Sequence, residues 1–196
     1  MKSRWVLSLI LVVTFFTAAY AQEHSNRPSP PPQTTPTAPV TPNANVRTDG
    51  WVTYNSVDGR FNVLLPDTPT EKTETTQSEH GPYTTHLFIV RGETNVFLIG
   101  WVDYDPSFNF NRTSELEANR DNFVKGVNAT LRTSRSLTLD GYQAIEFKAD
   151  TADRTFWSRV YMVGRRPYQI VIGVPKGGEE SSEAAKFFNS FKVSLR

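Results

Sequence analysis

Val96-Phe97-Leu98-Ile99-Gly100-Trp101-Val102 carries no polar side chain at either parity. Successive side chains of a strand point to opposite faces, so a strand with one face in water alternates apolar and polar residues. This run does not alternate. It predicts a strand, spanning about Asn95 to Tyr104, inside a sheet that is covered on both faces.

The segments around it are strand-like and separated by turn residues. Trp51 to Tyr54 and Arg60 to Leu65, joined through Asn55-Ser56-Val57-Asp58-Gly59 and stopped by Pro66, read as a hairpin. Thr-rich Glu71 to Glu79 reads as a solvated or edge strand, broken by His80-Gly81-Pro82 before Tyr83 to Val90. Leu131 to Leu139, Tyr142 to Asp150, Thr155 to Val163 and Tyr168 to Val174 follow, and Asp140-Gly141 is a strong hairpin signal. Links this short cannot join parallel strands.

Two helices interrupt the strands. Ser114-Glu115-Leu116-Glu117 fits a capping box, with Ser114 as the cap and Glu117 reaching back. Leu116, Phe123, Val124 and Val127 form the buried stripe, opposite Arg120, Asp121 and Lys125, and the helix ends near Gly126 to Asn128. A last helix runs from Ser181 to Lys192 and buries Ala184, Phe187, Phe188 and Phe191. Glu179, Glu180 and Glu183 lie at its N-terminal end, where the dipole favours negative charge. Strands, helix, meander, helix predicts an α+β fold: a central antiparallel sheet flanked by helices.

Ahead of this domain, which spans 50–196, are two segments of different character. Basic Met1-Lys2-Ser3-Arg4, apolar Val6 to Ala19 and small Ala19 and Ala21 predict a signal peptide over 1–21, cut between Ala21 and Gln22. Its apolar run falls short of the roughly twenty residues that span a bilayer. Residues 22–49, with Pro30-Pro31-Pro32, Pro36, Pro39 and Pro42 among Thr, Gln and Asn, predict an unfolded, semi-rigid tether. No later run is long enough to cross a membrane. The chain has no cysteine, which closes disulfides, zinc thiolates and thiol nucleophiles, so the domain depends on its hydrophobic core. The net charge is +1, and loss of Lys2 and Arg4 with the leader makes it −1. That balance argues against nucleic acid and against charge attachment to anionic lipid.

Several segments are similar to a known family. Asp58-Gly59-Arg60-Phe61-Asn62-Val63-Leu64-Leu65-Pro66, Leu139-Asp140-Gly141-Tyr142-Gln143-Ala144, Arg159-Val160-Tyr161, Gly164-Arg165-Arg166-Pro167-Tyr168-Gln169-Ile170-Val171 and Phe187-Phe188-Asn189-Ser190-Phe191 resemble exported bacterial proteins of unknown function. That family is similar in layout to the PsbP-like and Mog-type superfamily. The resemblance covers nearly all of 50–196 and implies an α/β/α sandwich around an antiparallel sheet. It also implies binding and assembly rather than catalysis: plant members dock on photosystem II, and Mog-type members bind a small GTPase. The shared motifs are turn glycines, a strand-ending proline and a phenylalanine helix, so no site residue transfers with them.

The chain has no nucleophile-elbow, phosphate-loop, His-Glu-x-x-His or complete calcium-loop motif, so no catalytic, cofactor or metal residue is assigned. His80 and His86 flank Gly81-Pro82, and facing each other across a hairpin with Glu79 they would offer metal ligands. Two solvated hairpin histidines are the simpler reading. Asp103 and Asp105 end the central strand, where a loop on a rigid scaffold can carry acid–base chemistry or grip a cation. With no third ligand evident, they also read as turn formers. Trp51, Tyr54, Trp101, Trp157, Tyr161 and Tyr168 would line a groove for an apolar ligand or glycan, or fill a core. Asn111-Arg112-Thr113 and Asn128-Ala129-Thr130 match the glycosylation pattern, relevant only in a eukaryotic secretory path.

The expectation is therefore an exported, non-enzymatic binding or assembly module with an envelope or extracellular protein partner and no cofactor. The candidate surface is His86, Trp101, Asp103 and Asp105. The alternatives are a small-ligand carrier, or a hydrolase using Asp103, Asp105 and His86.

Overall fold

The computed structural model describes residues 47–194 apart from 49, 110 and 180. The segments predicted as leader and as tether, up to residue 46, lie outside the described residues. In chain order the strands are β1 (Arg47–Thr48), β2 (Trp51–Ser56), β3 (Phe61–Leu65), β4 (Thr70–Ser78), β5 (Gly81–Arg91) and β6 (Val96–Tyr104). Helix α1 (Arg112–Gly126) is followed by β7 (Thr130–Leu139), β8 (Tyr142–Asp150), β9 (Arg154–Val163) and β10 (Arg166–Pro175). Helix α2 (Ser182–Ser190) and β11 (Lys192–Val193) close the chain.

Seven strands form one antiparallel sheet in the order β4-β5-β6-β10-β9-β8-β7. Its middle strand is β10, buried from Pro167 to Val174. It pairs with β6 so that Ile170 lies opposite Ile99, both at 0 % exposure. The cover expected over both faces of β6 is present. Phe97, Ile99 and Trp101 belong to the core on one face, Val96 and Leu98 to the core on the other.

The two covering layers differ from a helix on each face. Helix α1 covers one face through Leu116 and Phe123. The other face carries a second, four-stranded sheet, β1-β2-β3-β11, with α2 beside it. The β2–β3 hairpin has one strongly apolar side, and it buries that side on the large sheet. Phe61 alone meets Phe88, Trp101, Tyr168 and Phe191 at ring-centroid distances of 5.3 to 6.4 Å. Strand β1 falls within the stretch read as tether and pairs with Trp51 and Val52.

Three local boundaries also differ from the sequence reading. Asn111, not Ser114, caps α1: its side-chain oxygen accepts from the N–H groups of Thr113 at 2.9 Å and Ser114 at 3.2 Å. An asparagine there satisfies two of the orphan donors of the first turn. Helix α2 stops at Ser190. Phe191 is extended (φ −69°, ψ 119°), and Lys192 pairs with Asn62 of β3. Phe191 remains buried because the extended backbone sets its ring against Phe61 and Tyr161. Gly81 and Pro82 belong to β5, and the reversal before them falls at Glu79 and His80.

Candidate functional site

Strand register gathers the site. Thr73, His86, Trp101 and Tyr168 are successive cross-strand neighbours on β4, β5, β6 and β10. Residues two further along the strands point the same way, which adds Thr75, Thr84, Asp103 and Arg166. Arg166 donates to Asp103 Oδ1 from Nε at 2.6 Å and lies 2.5 Å from it through Nη2. The Trp101 indole N–H donates to the other oxygen, Oδ2, at 3.2 Å.

His86 lies flat on Trp101, with centroids 4.4 Å apart and planes at 6°. Its Nε2 is 3.3 Å from Asp103 Oδ2, and its Nδ1 is 3.2 Å from the Thr73 hydroxyl. Burial holds its pKa below the ordinary value. The Asp103 carboxylate opposes that shift, and the Arg166 charge adds to it. Burial thus favours the neutral ring. One tautomer satisfies both contacts: Nε2–H donates to Asp103, and Nδ1 accepts from Thr73.

The β2–β3 turn is fastened to this cluster. Arg166 Nη1 donates to the Asp58 carbonyl at 2.8 Å, and the Tyr168 hydroxyl donates to the Gly59 carbonyl at 2.9 Å. Gly59 allows the close approach, since a Cβ there would lie 2.5 Å from the Phe61 ring and 2.6 Å from Ser56 Oγ.

The residues singled out in the sequence divide. His86, Trp101 and Asp103 come together. Asp105 does not join them: it lies past the strand end, where its Oδ1 accepts from the Ser107 hydroxyl at 2.7 Å and the Ser107 N–H at 2.9 Å. Those two hydrogen bonds hold its carboxyl below the usual carboxylate range. His80 sits at the reversal against Phe108 and Glu79. It is six residues from His86, about 20 Å at the rise of a strand, so the two do not face each other. Among the described residues no three metal-ligating side chains gather. Trp51, Tyr54, Trp101, Tyr161 and Tyr168 are core residues, and half-buried Trp157 lies under the Lys148 ammonium at 4.9 Å.

Sequence reasoning missed Arg166, Thr73 and Tyr168 as members of this cluster. Arg166 lies 63 residues from Asp103, and no motif links them. The one available signal was parity, Arg166 and Tyr168 being two apart on one strand.

A second polar cluster lies under α1. Tyr104 donates its hydroxyl to Glu115 Oε1 at 2.5 Å, and Asn119 Nδ2 donates to the same oxygen at 3.0 Å. Burial pushes the Glu115 carboxyl above its ordinary value, and the two hydrogen bonds only partly oppose it. Elsewhere, a cleft of about 210 Å³ opens between Tyr142, Tyr161 and Phe191, with Lys192 and Asp140 2.9 Å apart at its lining.

Chemically, Thr73, His86 and Asp103 stand in the order hydroxyl, imidazole, carboxylate. The carboxylate, however, is already ion-paired with the Arg166 guanidinium and accepts the Trp101 indole N–H. What this row displays is a fixed polar surface: the His86 and Arg166 side chains are each 19 % exposed, and that of Asp103 is 41 % exposed.

No family model matches the chain, and no curated protein matches it. Among solved structures, it is similar to the solution structure of the cyanobacterial PsbP (CyanoP) of Synechocystis, with a TM-score of 0.55 and 13 % identity over 80 % of this chain and 99 % of that one. A crystal structure from Bacteroides thetaiotaomicron matches at 16 % identity over 74 % of this chain and 48 % of that one, with a TM-score of 0.33 that carries no argument. The fold is thus PsbP-like. At such identity the likeness concerns the fold and not the activity. Among the described residues no helix is long and apolar enough to cross a membrane.

Proposed function

We propose that this chain is an exported binding or assembly module of the cell envelope, held out on its Pro- and Thr-rich tether. It docks a protein partner through the face bearing His86, Asp103 and Arg166. The observation that carries this reading is the fastening of that face. Three paired strands, a stacked indole and the β2–β3 turn hold its polar groups in one geometry, so little side-chain freedom is left to lose on binding. Arg166 lies 5.9 Å from the Trp101 and Tyr168 ring centroids, and arginine is among the residue types enriched at binding hot spots. The PsbP-like fold and the leader at 1–21 support the same role.

The hydrolase alternative is narrower than the sequence suggested. With Asp105 engaged by Ser107, its acid–base pair would rest on His86 and Asp103 alone.

The test is binding to solubilised envelope fractions, titrated to saturation. Saturable binding that is lost in Arg166→Ala and Asp103→Asn but kept in Ser114→Ala supports the reading. Undiminished binding in both variants moves the interface elsewhere. No saturable partner across several growth conditions removes the module reading. A hydrolytic activity abolished by Asp103→Asn and His86→Ala puts the enzyme in its place.

A further inference from the structure

The seven-stranded sheet is open, with β4 at one edge and β7 at the other. Edge strands present unpaired backbone donors and acceptors, which proteins blunt with bulges, charges or cover. Strand β7 carries such a device, a register shift between Leu131 and Thr133. Strand β4 pairs with β5 over all nine residues, Thr70 to Ser78, without a shift.

Its charges are self-complementary. Within one face of a sheet, a two-fold axis perpendicular to the strands' plane pairs residues i and j with a constant, even sum. Centred on Lys72 or on Glu74, it sets like charges opposite each other. Centred on Thr73, it sets Lys72 opposite Glu74 of a second copy and Glu74 opposite that copy's Lys72. Thr70 then meets Thr76 and Glu71 meets Thr75, and Pro69, lacking an N–H, ends the ladder. Opposite charges directly across a strand pair stabilise it, and like charges destabilise it.

We propose that β4 is a self-association edge. Two copies of this chain join antiparallel about Thr73 into one continuous sheet. Because the axis is perpendicular to the sheet, the His86–Asp103–Arg166 faces of both copies lie on the same side, which would make the assembly bivalent if that face docks a partner. The dimer itself does not depend on that reading. A pair of single strands buries little surface, so the association is a weak, concentration-dependent one.

Sedimentation equilibrium on the purified chain tests it. The wild type shows a rising dimer fraction with concentration. Lys72→Glu and Glu74→Lys each place like charges across the axis and weaken association by about tenfold. The exchange Lys72→Glu with Glu74→Lys restores it. Because the chain contains no cysteine, Thr73→Cys introduces a single thiol opposite its own copy, and mild oxidation yields a covalent dimer. Ser134→Cys on the bulged edge does not. A monomer at every concentration, a charge exchange no better than the single variants, or equal crosslinking at Thr73→Cys and Ser134→Cys overturns the proposal.

Discussion

Arg166 holds Asp103 and the Asp58 carbonyl at once, tying the middle strand of the large sheet to its neighbour and to the turn of the small sheet. The Coulomb gain of this pair is moderated by solvent, because the Asp103 side chain is 41 % exposed. Arg166→Ala is expected to lower the unfolding free energy by about 1–2 kcal/mol, most of it from unpairing Asp103 and the carbonyl. Arg166→Lys recovers only part, because an ammonium cannot present the guanidinium fork. Urea denaturation checks both, with an unchanged slope showing that the fold is kept.

Asn111 and Ser114 give a direct test of which residue starts α1. Asn111→Ala removes an oxygen that accepts two backbone N–H groups and is expected to cost about 0.5–2 kcal/mol. Ser114→Ala, inside the first turn, is expected to stay within about 0.5 kcal/mol of the wild type. A larger loss in Ser114→Ala than in Asn111→Ala on thermal unfolding would return the cap to Ser114.

His86 titrates below the ordinary histidine value because it is partly buried. A histidine with a depressed pKa favours folding while neutral. Its contribution is present above the unfolded value of about 6.5 and is lost as pH falls through the folded value. Asp103→Asn removes the carboxylate that opposes the shift, so the midpoint moves lower still. Imidazole C–H resonances followed by NMR report both midpoints; a wild-type midpoint above about 6.5 would show that the Asp103 carboxylate outweighs burial.

Glu115 behaves in the opposite sense. Burial raises its pKa, so its contribution is complete below the unfolded value and is lost as pH rises through the folded one. Glu115→Gln is therefore expected to flatten the decline of stability across that window. Tyr104→Phe leaves the buried carboxyl short of a donor, at about 1–3 kcal/mol, and moves its pKa higher. Denaturation midpoints at a series of pH values separate the two variants.

Gly173 is a packing constraint. A Cβ there would lie 2.7 Å from the Phe156 ring and 2.8 Å from a Val96 methyl, both core groups. Gly173→Ala is expected to cost about 1–3 kcal/mol through overpacking. A neutral effect on the melting temperature would show that this part of the core yields.

What could be read from the chain alone was whatever repeats within a few residues. The two-sided apolar run at Val96–Val102, the Asp140-Gly141 turn and the Ala184, Phe187, Phe188 spacing of α2 are each local signals, and together they determined antiparallel α+β structure. They did not show that the β2–β3 hairpin becomes a second sheet on one face. The apolar side of a hairpin is legible, but which other apolar surface it meets is not. The same holds for the candidate site. Asp103 and His86 stood out as residue types, but only the placement of β10 against β6 brought Arg166 to Asp103 and left Asp105 outside. Hydrogen bonds form at about 3 Å, and sheet order across 60 or more residues decides which groups come that close.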